Sequence, residues 1–257
     1  MIKYFRKIRY NLMDKNKTGK YLKYAIGEII LVVIGILIAL QVNNWNTKRK
    51  SDNDALKLMS RILVESEQNQ EELKIRIQVV NSLLNSAENL IILFNDEYTN
   101  NNIRTVDSLI YDLLYTPRFN YKSSTLDEAL SSGIVSLIQS DSLRDQLYQV
   151  PNAFNNVLFF EKLILDDYKN NLMPYLYDNI SLRQIDGTFA AIKNRLGKSN
   201  LSKVDNRIVL SDVKFEGMVD NKMYDFNSVL ESYDAFSKLN TSNISLLENE
   251  IKELNKN

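Results

Sequence analysis

Residue types able to do chemistry are few in this sequence, and the gaps among them are informative. The 257 residues contain no histidine and no cysteine. That removes the commonest general base, the commonest metal ligand, thiolate nucleophiles, disulfides and cysteine-ligated zinc or iron–sulfur sites. Acid–base work would fall to carboxylates, lysine or tyrosine. Glu28 stands inside the edge of a long apolar run. An ionisable group there points to a lysine of a partner helix or a bound proton, or else it reaches the headgroups beside Lys23. Glu161, Asp166, Asp167 and Asp178 lie among Tyr168, Tyr175 and Tyr177. Their spacing has no calcium-loop pattern, so a solvated helix face is expected. Thr125, Glu128 and Gly133 have the spacing of a capping box and a left-handed closing glycine, which predicts a short helix and not a recognition loop. No Walker loop, GxSxG elbow, HExxH or Rossmann glycine pattern occurs. No catalytic residue, cofactor or metal site is predicted, and the expectation is a protein that is not an enzyme.

The elements carrying these residues begin with a membrane segment. From Ile29 to Leu40 every residue is apolar, and the run extends to Ala25 and Val42, interrupted only by Glu28 and Gln41. As a helix it reaches about 27 Å, close to the roughly 30 Å of bilayer hydrocarbon. Lys3, Arg6, Lys7, Arg9, Lys15, Lys17, Lys20 and Lys23 precede it, against Lys48, Arg49 and Lys50 after it. The positive-inside rule places the N-terminus in the cytoplasm. No small-x-small cleavage site follows the run, so the segment is expected to stay as an anchor. Residues 1–23 then form a basic cytoplasmic tail, 24–43 the span, and 44–257 a periplasmic domain of an inner-membrane protein. Tyr21, Tyr24 and Trp45 suit the interfacial belts. Phe5, Ile8 and Leu12 share a helical face that can lie on anionic lipid, but the segment reads first as a simple topogenic tail. Gly35 and Ala39 make a small-xxx-small pair with Gly27 further back. Glu28, Gly35 and Ala39 are therefore the candidate helix contacts, to a second copy or another membrane protein. Lysine plus arginine equal aspartate plus glutamate at 32 each, and no nucleic-acid partner is expected.

Beyond the span, Leu56, Met59, Leu63, Leu73, Ile77, Val80, Leu84, Ala87, Ile91 and Phe94 follow coiled-coil heptad spacing, with Ser66 and Gln70 in two seam positions. A second seam starts near Met223 with Phe226, Leu230 and Tyr233 and resumes at Ile244, Leu247, Ile251 and Leu254, broken at Ser237 and Asn240. The two are expected to pack antiparallel in a bundle. Between them, a short helix over 106–114 stops at Pro117, and another starts at Ser140 or Asp141. Pro151 should kink or break that helix, and Pro174 should end its continuation. Residues 181–212 read as irregular, with the polar run 198–203 a loop and Arg207 to Phe215 a possible short strand. The fold class is all-α: one transmembrane helix, then an extracytoplasmic antiparallel bundle with long outer helices. The expected function is a non-enzymatic interaction or scaffolding module. The alternative is a sensory bundle whose polar breaks line a ligand cavity.

Two stretches carry a family resemblance. The opening, Tyr4 to Arg9 and then Lys20 through Gly27-Glu28-Ile29 to Asn43-Asn44-Trp45-Asn46, resembles a family of single-pass membrane proteins from Bacteroidota that carry a domain of unknown function. The stretch from Thr125 to Gly133, continuing to Arg144, resembles that family's internal T-x-x-E-x-x-x-S-G motif, with Leu126 in place of an aromatic residue and Ala129 in place of a leucine. The resemblance covers about half the chain and implies the anchor, but no catalytic residue.

Overall fold

The computed structural model describes residues 10, 18–95, 97–196, 201 and 204–256. They form an all-α protein, with no strand among the described residues. The basic tail through Lys17 apart from Tyr10, its Phe5/Ile8/Leu12 face, the side chains of Tyr21 and Tyr24, and residues 198–200, 202 and 203 of the polar run lie outside them. The chain divides into two compact units, Met1–Leu56 and Lys57–Asn257.

The first helix, α1 (Thr18–Ile91), contributes to both units. No proline interrupts it, the first being Pro117. Within the first unit its large apolar side chains from Ile26 to Val42 are all exposed. Among the described residues this is the one helix long and apolar enough to cross a membrane. At its far end the Arg49 guanidinium lies 5.8 Å from the centre of the Trp45 ring.

The second unit contains the rest of α1, then α2 (Ile103–Leu113), α3 (Ser124–Ser132), α4 (Asp141–Asp167), α5 (Met173–Asn179), α6 (Leu182–Phe189), α7 (Lys193–Leu196) and α8 (Val213–Leu254). Phe94 packs on Phe215 at 5.7 Å, Gln70 hydrogen-bonds Ser237, and Asn240 reaches the Ser66 carbonyl. Rising numbers on α1 meet falling numbers on α8, so the two long helices are antiparallel, as their matched patterns predict. Phe154 meets Phe236 and Tyr175 stacks on Phe215, so α4 and α5 also run against α8. A three-helix core results, with the shorter helices packed around it.

The buried faces are offset from the predicted seams. On α1, Met59, Ser66, Leu73, Val80 and Ala87 are buried as expected. Their companions are Ile62, Asn69, Leu83 and Leu90, whereas Leu63, Ile77 and Leu84 are only partly buried. On α8 the buried positions include Phe215, Val219, Lys222, Phe226, Val229, Tyr233, Phe236, Asn240, Asn243 and Leu247, in alternating steps of four and three, with Ser232 buried beside Tyr233. Ser237 and Ile244 sit on the shoulder. Each helix faces two partners, which widens its buried stripe beyond a two-helix seam.

Two local expectations are overturned. Residues Asn206–Ser211 form a 3-10 turn and Val213 starts α8, so no strand exists there. Burial of Val209, Leu210 and Phe215 follows tight helical turns; the alternation was incidental. Pro151 lies within α4 without breaking it, although the helix lacks that donor. Pro174 does not end the helix either. It lacks the N–H that Asn170 would accept, and the chain answers with a π-turn, Tyr168–Leu172, in which Met173 donates to the Tyr168 carbonyl before α5 continues.

Candidate functional site

A polar ladder fastens the extended segment between α2 and α3 to α1. The Arg76 guanidinium donates to the Tyr115 hydroxyl, and the Asn69 amide both donates to the Lys122 carbonyl at 2.7 Å and accepts from the Lys122 N–H at 2.8 Å. One helical turn earlier, Glu65 accepts from the Ser124 and Thr125 hydroxyls and the Thr125 N–H. Arg61 pairs with Glu128 at 3.1 Å. Glu65 thus caps α3 from another helix, and these donors hold its carboxyl below the usual range although burial opposes them. The expected capping box does not form: Ser123 is the N-cap residue, and Thr125 and Glu128 both turn to α1. Gly133 does take the left-handed conformation, at φ 76°. This polar stretch is a structural clamp.

The predicted acidic cluster disperses. Glu161 is buried, and its Oε1 accepts from the Phe119 N–H at 2.7 Å and the Tyr233 hydroxyl at 2.6 Å. Burial pushes this carboxyl upward against both hydrogen bonds. It joins α4, α8 and the extended segment beside the Phe119, Tyr121, Phe154 and Phe236 rings. Asp166 and Asp178 are exposed, so only part of the cluster is the solvated face expected. Tyr175 donates to Asp212 at 2.6 Å, next to the start of α8. Among the described residues no group of carboxylates is placed to hold a metal ion. The polar breaks also find each other: Gln70 donates to Ser237 at 2.7 Å, and Asn240 donates to Gln70 at 2.9 Å and to the Ser66 carbonyl. They set the register of α1 on α8.

Among the described residues three buried side-chain polar atoms have no hydrogen-bond partner, Gln146 Oε1, Asn243 Oδ1 and Lys222 Nζ, and only the last carries a charge. Lys222 is 1% exposed in the middle of the α8 stripe, and its Nζ makes no hydrogen bond among the described residues. The ammonium lies 5.9 Å from the centre of the Tyr168 ring, the first residue of the π-turn, and 5.6 Å from the Phe226 ring. Rings at this range attract a cation. Burial pulls the amine below its ordinary value of 10.5, while Asp167 and Asp225 act against that shift. One turn along, burial raises the Asp225 carboxyl to about 6, reinforced by Asp167 and opposed by Lys222. Asp225 also accepts from the Asn221 amide at 3.3 Å. The Tyr168 hydroxyl is raised by burial, with smaller contributions from Tyr177 and Asp186. Lys222 against the π-turn is the candidate site, a buried amine held between two aromatic faces on which Asp167 and Asp225 act electrostatically. The sequence held one signal for it, a lysine at the one charged step in a run of four-and-three spacings from Phe215 to Phe236.

Glu28, Gly35 and Ala39 lie in the first unit. On a continuous helix their separations of seven and four residues put them along one side. A side-chain carbon added at Gly27 or Gly35 would have nothing within 4 Å. Glu28 and Ala39 are exposed like the apolar residues around them.

Comparisons with family models, with curated proteins and with solved structures find no match.

Proposed function

We propose that this chain is a single-pass membrane protein whose helical domain works by contact with another protein and not by catalysis. The observation that carries the proposal is the outer side of α4. Tyr148, Phe159 and Leu163 are exposed by 55, 55 and 43%. Their spacing of eleven and four residues places them on one side of the helix over about 22 Å. From Gln146 to Phe160 the sequence contains no charged residue. A solvated helix normally carries charges on its outer face, and an uncharged face on which Tyr148, Phe159 and Leu163 flank exposed Asn152, Asn155 and Asn156 marks a contact surface.

The exposed apolar segment of α1 supports the anchor, since large side chains from Ile26 to Val42 need lipid around them. The charge bias across it supports an N-terminus in the cytoplasm and a periplasmic domain at the inner membrane. The Bacteroidota resemblance fits this layout. Glu28, Gly35 and Ala39 offer a further contact within the bilayer, to a second copy or another membrane protein. Coiled-coil packing of α1 on α8 is in keeping with their heptad spacing.

A photo-crosslinking residue at Phe159, in cells expressing the full chain, tests the reading. Capture of a second copy or of one reproducible partner supports it. No capture from Phe159, with capture equal to background from exposed Glu231 on α8, overturns it.

A further inference from the structure

We propose that Trp45, Lys48 and Arg49 form a binding site for the phosphate of an anionic lipid headgroup, at the end of the apolar segment of α1. This rests on the membrane reading of α1 and is independent of the contact surface on α4. Three basic residues in a row, Lys48, Arg49 and Lys50, follow the segment on the side where the positive-inside rule does not ask for them. All three are exposed, and so is Trp45. The Arg49 guanidinium lies over the Trp45 ring, 5.8 Å from its centre. The ring attracts the charge and leaves the N–H donors of the guanidinium to a second partner, and their planar fork matches two oxygens of a phosphate.

The helix sets the depth. α1 is continuous through this stretch. Trp45 lies three residues beyond Val42, about 4.5 Å at 1.5 Å per residue, which is inside the headgroup layer of roughly 5–7 Å on each side of the hydrocarbon. Arg49 starts about 6 Å further out. Side chains on a helix lean toward its N-terminus, which in α1 is the direction of the membrane. Lys48 and Arg49 therefore lean down onto the headgroups, and for Arg49 the contact with Trp45 shows it. These two follow Trp45 by three and four residues and stand on its side of the helix, whereas Lys50, five residues on, is turned about 140° away. Asp52, one turn further out, offsets one of the charges, and residues 48–52 remain positive. Headgroups fill this depth, so the occupant is a lipid of the same bilayer. A net negative one such as phosphatidylglycerol brings its phosphate without an ammonium of its own to compete.

Trp45 is the one tryptophan of the chain, so its fluorescence reports on this place alone. The full chain is placed in nanodiscs of phosphatidylcholine and phosphatidylglycerol at about 4:1, with bromine on the acyl chains of one lipid or the other as quencher. Lipids gathered by the basic residues before the span lie across roughly 30 Å of hydrocarbon and do not quench it. Per mole, brominated phosphatidylglycerol should quench about fivefold more effectively than brominated phosphatidylcholine, the factor for one net basic residue near a headgroup surface. Arg49→Gln should lower that preference by about half or more, and Lys50→Gln, with the same change of charge, should leave it. Equal quenching by the two lipids, or an equal loss in both variants, overturns the site and leaves the span standing. Absence of quenching by either lipid overturns the membrane reading and the site with it. Displacement of phosphatidylglycerol by inorganic phosphate, beyond that by sodium chloride at the same ionic strength, would assign the cluster to free phosphate and overturn the lipid as its occupant.

Discussion

Lys222 fills a place in the α8 stripe where leucine or methionine would pack without a desolvation cost. A buried ammonium with aromatic faces and distant carboxylates is a poor exchange for such packing. Lys222→Met is expected to raise unfolding free energy by roughly 1–4 kcal/mol, measured by urea denaturation at pH 7.5. A loss of stability would mean that the charge holds the core together. Glu161 is the opposite case, because both of its donors are buried with it. Glu161→Ala should cost about 2–4 kcal/mol by leaving the Phe119 N–H and the Tyr233 hydroxyl unpaired, whereas Glu161→Gln keeps an acceptor and should stay within about 1 kcal/mol. Since burial raises this carboxyl, its protonated form favours the fold. That contribution is complete below pH 4.5 and lost as pH rises through the raised value, so Glu161→Gln should flatten this limb of the stability curve. Neither role could be read from residue type, since a lysine and a glutamate in a helical pattern normally mark the outside.

At the level of elements, the helices and their antiparallel pairing were legible because apolar residues recur with helical spacing. The centre of each stripe was not. Asn69 and Arg76 occupy the second buried line of α1, and their polarity shifted the apparent seam to Leu63, Ile77 and Leu84. They are polar because they hold the extended segment at Lys122 and Tyr115, a task visible only once that segment is in place. The capping of α3 was hidden for the same reason, because its acceptor, Glu65, is 60 residues away from Thr125. Glu65→Ala should destabilise the unit by roughly 1–2 kcal/mol, the range for a lost cap, and open α3 to limited proteolysis near Ser124. Prolines were read by their usual effect, yet Pro151 is carried within α4 and Pro174 is absorbed by one extra residue in the π-turn. Deleting Asn170 together with Pro174→Ala should accordingly leave a regular helix with its faces in phase. Circular dichroism should show native helicity, and loss of the fold would mean that the π-turn is not a one-residue insertion.

For the whole molecule, the exposed stripe of α4 separates association from stability. Phe159→Ser with Leu163→Ser should abolish capture of a partner while unfolding free energy changes by no more than about 0.5 kcal/mol per site, as for other exposed positions. A larger loss would place these side chains in the core. The polar register between α1 and α8 has a different consequence, for synthesis. Asn240 and the Ser66 carbonyl it reaches are 174 residues apart. At about 5–20 residues per second, α1 waits roughly 9–35 seconds after its own emergence for the helix that covers it. Throughout that interval Met59, Ile62, Leu73 and Val80 have no α8 to bury them, so the nascent chain is the form most in need of a chaperone.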